Sequence, residues 1–368
     1  EDNHFTIFRD HLTGREYIRE NRELYDNGLY IELGAYKCHV FLDFRQVADD
    51  HWGQYRQLTN YLDGRGVPNI DEALKEVFLQ SVHQPFRDLV NAGQFQWIID
   101  NRLGAESSLG ADLGFILDEV EEKTRHLLYG IVDITKTQGG EDVIAREIRT
   151  EIDAIMQLQN LITITPKTYP RKYKSATKYL LNGVNEDTRF IDGPPQVWGT
   201  LLGWSITHRL GKIVGEKGFN EISRSWIDEW LLGNIIANAL MQMGLPEPQA
   251  WRSVGVIKMM IGQEGWFDGS IPNKRRAFQV LHSFLRDSDV QNFIGINRYQ
   301  GVLWFNKEAF EELVWWLFIS ETINILSKLD DEDEISEEVV ARFDVIKRLL
   351  KAESKSAYQV DELIAATK

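Results

Sequence analysis

The chain has 368 residues, 43% hydrophobic and 26% charged, enough for two or three cores without disulfide support. A formal charge of −15, with 56 acids against 41 bases, disfavours nucleic acid as a partner, and the single cysteine excludes an internal disulfide and fits a reducing, cytoplasmic compartment. Apolar runs such as Leu313 to Ile319 fall well short of the ~20 residues that cross a bilayer, so no membrane span is expected.

The chain opens on Glu1 rather than Met and runs at once into "HFTIF", as a processed product or a fragment would. The first fifty residues read as strands joined by turns: "HFTIF", "TGREYI", then "GLYIELGAYKCHVFLDF". In that last stretch Leu29, Ile31 and Leu33 alternate, Gly34-Ala35 allows a bend, and Tyr36, Cys38, Val40, Leu42 and Phe44 alternate again. Period two predicts that this even-numbered set buries together while Lys37, His39, Phe41, Asp43 and Arg45 face water. Cys38 and His39 then point apart, which favours a structural strand over a thiol–imidazole pair.

On these residues the segment resembles the C-terminal β-sandwich of α-amylase-superfamily glycoside hydrolases. The features carried over are Asp10 with the hairpin residues Thr13, Gly14, Glu16 and Tyr17, then Leu29, Ile31 and Leu33, a corner at Ala35-Tyr36, and the apolar Val40 and Phe41. Ala35 stands where that family commonly has proline, and the likeness covers about an eighth of the chain. It implies a (β/α)8 catalytic barrel in cis, outside this sequence and carrying the catalytic carboxylates. A ribbon of three or four strands with one apolar face needs such a covering layer.

After Asp49 the period changes. Asn69 with Glu72 resembles a capping box before "ALKEVFL". Residues 107–132 place Leu113, Ile116, Leu117, Val120, Leu127, Leu128 and Ile131 on one helical stripe, and residues 141–161 do the same with Ile144, Ile148, Ile152 and Ile155, where Arg149 and Asp153 stand at i,i+4. "TPKTYPRKYK" interrupts the helical period and marks a linker. Beyond it "QVWGTLLGWSITHRLGKIV", "SWIDEWLLGNIIANALMQM", "EPQAWRSVGVIKMMI", "KRRAFQVLHSFLR" and "KEAFEELVWWLFISETINIL" read as core helices. The acidic run Asp330 to Glu334 reads as a solvated loop before a last helix from Ser336. The expected fold is therefore α+β and predominantly α-helical. A short antiparallel β-segment spans residues 1–50, and helical subdomains span 51–165 and 171–368.

Two clusters pair acids with sugar-stacking rings. "SRSWIDEW" offers Trp226, Asp228 and Trp230, and "GQEGWFDGS" offers Glu264, Trp266 and Asp268. Glycoside hydrolysis needs two carboxyl groups, one to protonate the leaving oxygen and one to attack or to activate water. Asp228, Glu264 and Asp268 are accordingly the candidate catalytic residues of a free-standing helical hydrolase, and Trp226, Trp230 and Trp266 are candidate carbohydrate contacts without catalysis. The plainer alternative makes "SRSWIDEW" a helix start, with Ser225 as cap, Asp228 in the first turn and the two Trp packing inward at i,i+4. The basic stretch Lys167, Arg171, Lys172, Lys174 and Lys178 contains no acid and suits either a polyanion or an internal salt-bridge surface. Ser205 and His208 fit one turn of a buried helix better than a nucleophile elbow. No phosphate loop, metal motif or cofactor fingerprint is present, and neither metal nor cofactor is expected.

The resemblance implies a non-catalytic C-terminal accessory portion of an α-glucan-active glycoside hydrolase, expected to pack on a barrel in cis and to contact α-glucan. The alternatives are a helical carbohydrate-active hydrolase and a helical protein-interaction scaffold.

Overall fold

A computed structural model of the chain describes residues 3–31, 33–49, 53–102, 113–185, 188–189, 196–267 and 269–368, the side chains of residues 273 and 274 excepted. It is predominantly helical with small antiparallel sheets, the expected α+β class. Two compact units divide between Gln84 and Pro85. The linker expected at Pro166 to Pro170 lies inside the second unit, where Pro170 supplies the first residue of a helix, a position that needs no N–H. Among the described residues no helix is long and apolar enough to cross a membrane.

The first unit holds strands β1 (His4–Asp10) and β2 (Glu16–Glu20), helix α1 (Asn21–Asn27), strand β3 (Phe41–Ala48), and helices α2 (Gln54–Leu62) and α3 (Ile70–Phe78). The chain leaves it along α4 (Gln80–Leu89). The sheet order is β2-β1-β3, all antiparallel. Phe5, Ile7 and Ile18 bury one face of the sheet against Leu58, Leu62 and Ile70, so α2 and α3 cover that face from within the chain. Asn69 caps α3 by accepting from the N–H groups of Asp71 at 2.8 Å and Glu72 at 3.1 Å.

Asp10 locks the β1–β2 hairpin. Its closed-off carboxylate accepts from Thr13 Oγ1 at 2.7 Å and from the N–H groups of Leu12 at 3.1 Å and Val40 at 3.3 Å, and it contacts His39 Nδ1 at 2.8 Å. The hydrogen bonds from Thr13 and His39 hold it well below the usual carboxylate range. Gly14 takes the left-handed turn position at φ 69°.

The alternation expected over residues 28–44 is not what forms. Residues 28–31 and 33–40 carry no strand, and β3 begins only at Phe41. Within β3 the pairing with β1 shifts between Ile7 and Arg9, and Asp43 adopts φ 56°, a bulge with one extra residue. The extra residue puts Phe41 and Phe44, three apart, on the same side as Phe8. Phe44 stacks on Phe8 at 5.3 Å, Phe41 meets it edge-on at 5.1 Å, and Tyr17 stacks on it at 5.7 Å. The even-numbered set is exposed rather than buried: Tyr36 fully, Val40 43%, Leu42 45% and Phe44 58%. Cys38 is exposed as well.

The second unit contains α5 (Ala92–Asp100), α6 (Leu113–Thr135), α7 (Glu141–Met156), a 3₁₀ turn (Leu158–Ile162), α8 (Pro170–Asn182), α9 (Gln196–His208), a second 3₁₀ turn (Leu210–Ile213), α10 (Phe219–Glu229), α11 (Leu232–Gln242) and α12 (Glu247–Gly262). These are followed by α13 (Asn273–Phe284), α14 (Ser288–Phe293), the hairpin β4 (Asn297–Tyr299) and β5 (Val302–Trp304), α15 (Lys307–Leu326), α16 (Glu332–Glu353) and α17 (Val360–Thr367). The stripes expected on α6 and α7 are buried: Ile116, Leu117, Val120, Leu127, Leu128 and Ile131 on one, Ile144, Ile148, Ile152 and Ile155 on the other. Residues 107–112 of the first stripe's expected span lie outside the described residues.

Helices α9 and α15 are almost wholly buried along their length, as apolar-all-round sequences require. The expected single helix in "SWIDEWLLGNIIANALMQM" breaks at Leu231 (φ 55°), where α10 ends and α11 begins. The acidic run is not a loop. Asp331 caps α16 and Glu332, Asp333 and Glu334 form its first turn, where the helix dipole favours negative charge.

Candidate functional site: a buried carboxylate–histidine–carboxylate relay

Helix α9 packs against both α7 and α12, and its last residue is His208. A helix C-terminus favours a cation, and here two carboxylates reinforce it. His208 Nε2 lies 2.5 Å from Glu151 Oε2 on α7, and Nδ1 lies 3.0 Å from Glu264 Oε2, just past α12. Ser205, one turn earlier on α9, donates to Glu151 at 2.9 Å. Arg209 donates to Glu151 at 3.0 Å and to Glu147 at 3.1 Å, and Lys212 donates to Glu147 at 2.7 Å. The Trp204 ring stacks on the imidazole at 4.3 Å.

Charge balance favours a protonated His208. Glu147, Glu151 and Glu264 face His208, Arg209 and Lys212, so the cluster is neutral only with His208 protonated. Burial would lower the His208 pKa, but the charges of Glu151 and Glu264 outweigh it and the pKa is raised. Burial would likewise raise both glutamates, and the His208 charge leads the interactions that lower them. With both ring nitrogens engaged by carboxylates, the imidazole has none free to act as a base toward a ligand. It fixes the carboxylates in place.

Glu264 and Glu147 bring the cluster to solvent, Glu147 with a side chain 35% exposed. His208 is 1% and Glu151 0% exposed at the side chain, against 23% for Glu264. Glu264 lines a pocket of about 230 Å³ together with Gln263, Trp266, Arg276, Gln279 and Ser283. Gln263 is oriented by Asp287 at 3.0 Å, and Arg276 by the carbonyls of Gly269 at 3.1 Å and Ile271 at 2.5 Å. The Phe267 ring lies under two guanidinium groups, Arg276 at 4.2 Å and Arg342 at 3.9 Å. Behind it Glu321 is raised, mainly by burial and in part by the Glu264 charge, with Arg342 3.5 Å away in opposition. The pocket thus offers a carboxylate acceptor, amides and a hydroxyl that can hydrogen-bond a polyhydroxylated ligand, beside the Trp266 ring.

The candidate residues divide. Glu264 and Trp266 come together in this pocket, and Trp266 Nε1 is tied to the Leu317 carbonyl at 3.0 Å. Asp228 does not line it: it is largely exposed on α10 and pairs with Lys258 at 2.7 Å. Asp268 lies outside the described residues. Trp226 is 5% exposed and stacks on Trp230 at 4.0 Å with the rings 8° apart, the inward i,i+4 packing, which removes Trp226 as a sugar platform. Ser225 does not cap. α10 starts earlier, after Gly218, and Ser225 donates to the Ile222 carbonyl inside the helix. Lys167 and Lys172 find acids on α16, Asp333 at 2.6 Å and Asp344 at 2.8 Å.

Sequence reasoning missed Glu151. Its signal was a charged residue at position 151 within the apolar stripe of Ile148, Ile152 and Ile155. Among the described residues no group of three or more His, Cys, Asp or Glu is arranged to hold a metal ion. Comparison with protein-family models, curated proteins and solved structures gives no match to this chain.

Proposed function

We propose that the chain is the non-catalytic C-terminal accessory portion of an α-glucan-active glycoside hydrolase of the α-amylase type, with its N-terminal sheet packed against a catalytic barrel in cis. The observation that supports this is the clustering of exposed apolar side chains. Of the large hydrophobic residues exposed among the described residues, Leu12, Tyr25, Leu29, Tyr30, Leu33, Tyr36, Val40, Leu42 and Phe44 all fall in this one short segment. An apolar patch of that kind marks an interaction surface. It lies on the same segment that carries the amylase-like hairpin around Asp10, Thr13 and Gly14.

The test is the coding sequence immediately before Glu1. A (β/α)8 barrel with its own carboxylate set is expected there, and a frame without one overturns the proposal. Contact with α-glucan falls to the pocket beside Trp266 and Glu264. Affinity electrophoresis in soluble starch should retard the chain, and Glu264→Gln should remove the retardation. No retardation of the parent chain leaves the helical region a protein scaffold.

A helical hydrolase is the second reading, favoured by one specific feature, a carboxylate and an aromatic ring, Glu264 and Trp266, lining the same pocket. Glucan hydrolysis by the isolated chain, abolished in both Glu264→Gln and Glu321→Gln, would select it over the accessory role.

A further inference from the structure

The basic stretch on α8 divides into two kinds of lysine. Lys167 and Lys172 are ion-paired with α16. Lys174 and Lys178, one helical turn apart, have no ion-pair partner among the described residues. Both line a groove of about 500 Å³ whose other walls include Ile162, Ile164, Tyr173 and Leu181. Two like charges at i,i+4 disfavour the helix that holds them.

We propose that this groove binds a small amphiphilic anion, an alkyl carboxylate of medium chain length. Its tail lies on Ile162, Ile164 and Leu181, and its carboxylate is held by Lys174 and Lys178. The pairing of apolar walls with a few convergent polar groups is that of small-molecule sites, and the groove's volume is within their range. The two ammonium groups select the anionic head, and neither is paired with a carboxylate among the described residues. The proposal is independent of any role in glycoside hydrolysis.

Calorimetric titration of the full chain with decanoate, and with 1-decanol as the uncharged counterpart, tests it. Decanoate is expected to bind saturably at one site, at least about tenfold more tightly than decanol. The double substitution Lys174→Gln, Lys178→Gln should weaken decanoate about tenfold and leave decanol unchanged. Ile162→Glu should weaken both ligands. Ile162 is 61% exposed and both lysines are exposed, so both variants retain the fold, which circular dichroism checks. Absence of saturable decanoate binding, equal affinity for the two ligands, or decanoate binding untouched by the lysine substitutions overturns the proposal.

Discussion

Glu151 and His208 meet at 2.5 Å with both side chains closed to solvent. Neither charge is tolerable there alone. Truncation by Glu151→Ala leaves His208 and Arg209 facing each other without their shared anion, and is expected to cost about 3–5 kcal/mol of unfolding free energy. Urea titration followed by tryptophan fluorescence reads this directly. A loss below about 1 kcal/mol would mean that the cluster is not the tightly coupled unit its geometry describes.

The same pair sets a pH window. His208 is raised above its ordinary 6.5, so its contribution is complete below that value and is lost as pH climbs through the folded-state pKa. Glu151 is lowered below its ordinary 4.5, so its contribution is complete above that value and is lost as pH falls through the folded-state pKa. Stability from this cluster should form a plateau between pH 4.5 and 6.5 and decline on the alkaline side. Denaturation midpoints across pH 5 to 9 would follow this, and His208→Gln should flatten the alkaline slope while lowering the whole curve. An unchanged slope would assign the decline to other groups.

Glu321 behaves oppositely. Burial raises its pKa and Arg342 only partly offsets the effect, so ionised Glu321 opposes folding. Glu321→Gln, which removes a charge but keeps the shape, should shift stability at pH 8 by less than about 1 kcal/mol, or increase it. A loss matching that of Glu151→Ala would contradict this assignment.

Gly211 sits in the turn after Arg209, and its N–H donates to Ser223 Oγ at 2.8 Å. A Cβ there would strike the Phe219 carbonyl oxygen and crowd Ser223, with backbone on one side of the clash. Gly211→Ala should cost about 1–3 kcal/mol through overpacking. Thermal unfolding checks this, and a variant as stable as the parent would show that α10 can move away freely.

The helical region was largely legible because a long stripe repeated every 3.6 residues has few alternative solutions. α6, α7, α12 and α15 lie where their apolar spacing puts them. The opening strands were legible up to Glu20. Beyond that, the reading failed twice: residues 33–40 form no strand, and within β3 an extra residue at Asp43 shifts the pairing, a glycine-free bulge that leaves no mark in the sequence. The break at Leu231 was hidden for the same reason, a left-handed conformation adopted by a residue that normally avoids it. Of the relay, Glu264 stood out beside Trp266. His208 was visible only as a member of a buried turn, and Glu151 was lost among isoleucines, because its partners lie more than fifty positions away and only the tertiary fold joins them.

The distortion at Asp43 also governs how β3 can meet another chain. β3 is one of the sheet's two edge strands, and its remaining backbone donors and acceptors would otherwise invite a neighbour to zip onto the sheet edge to edge. A kinked border with Asp43 and Arg45 projecting from it frustrates that register, guarding against ribbon-like self-association. Whatever settles on Phe44 must then arrive broadside and be recognised through ring shape rather than through main-chain pairing.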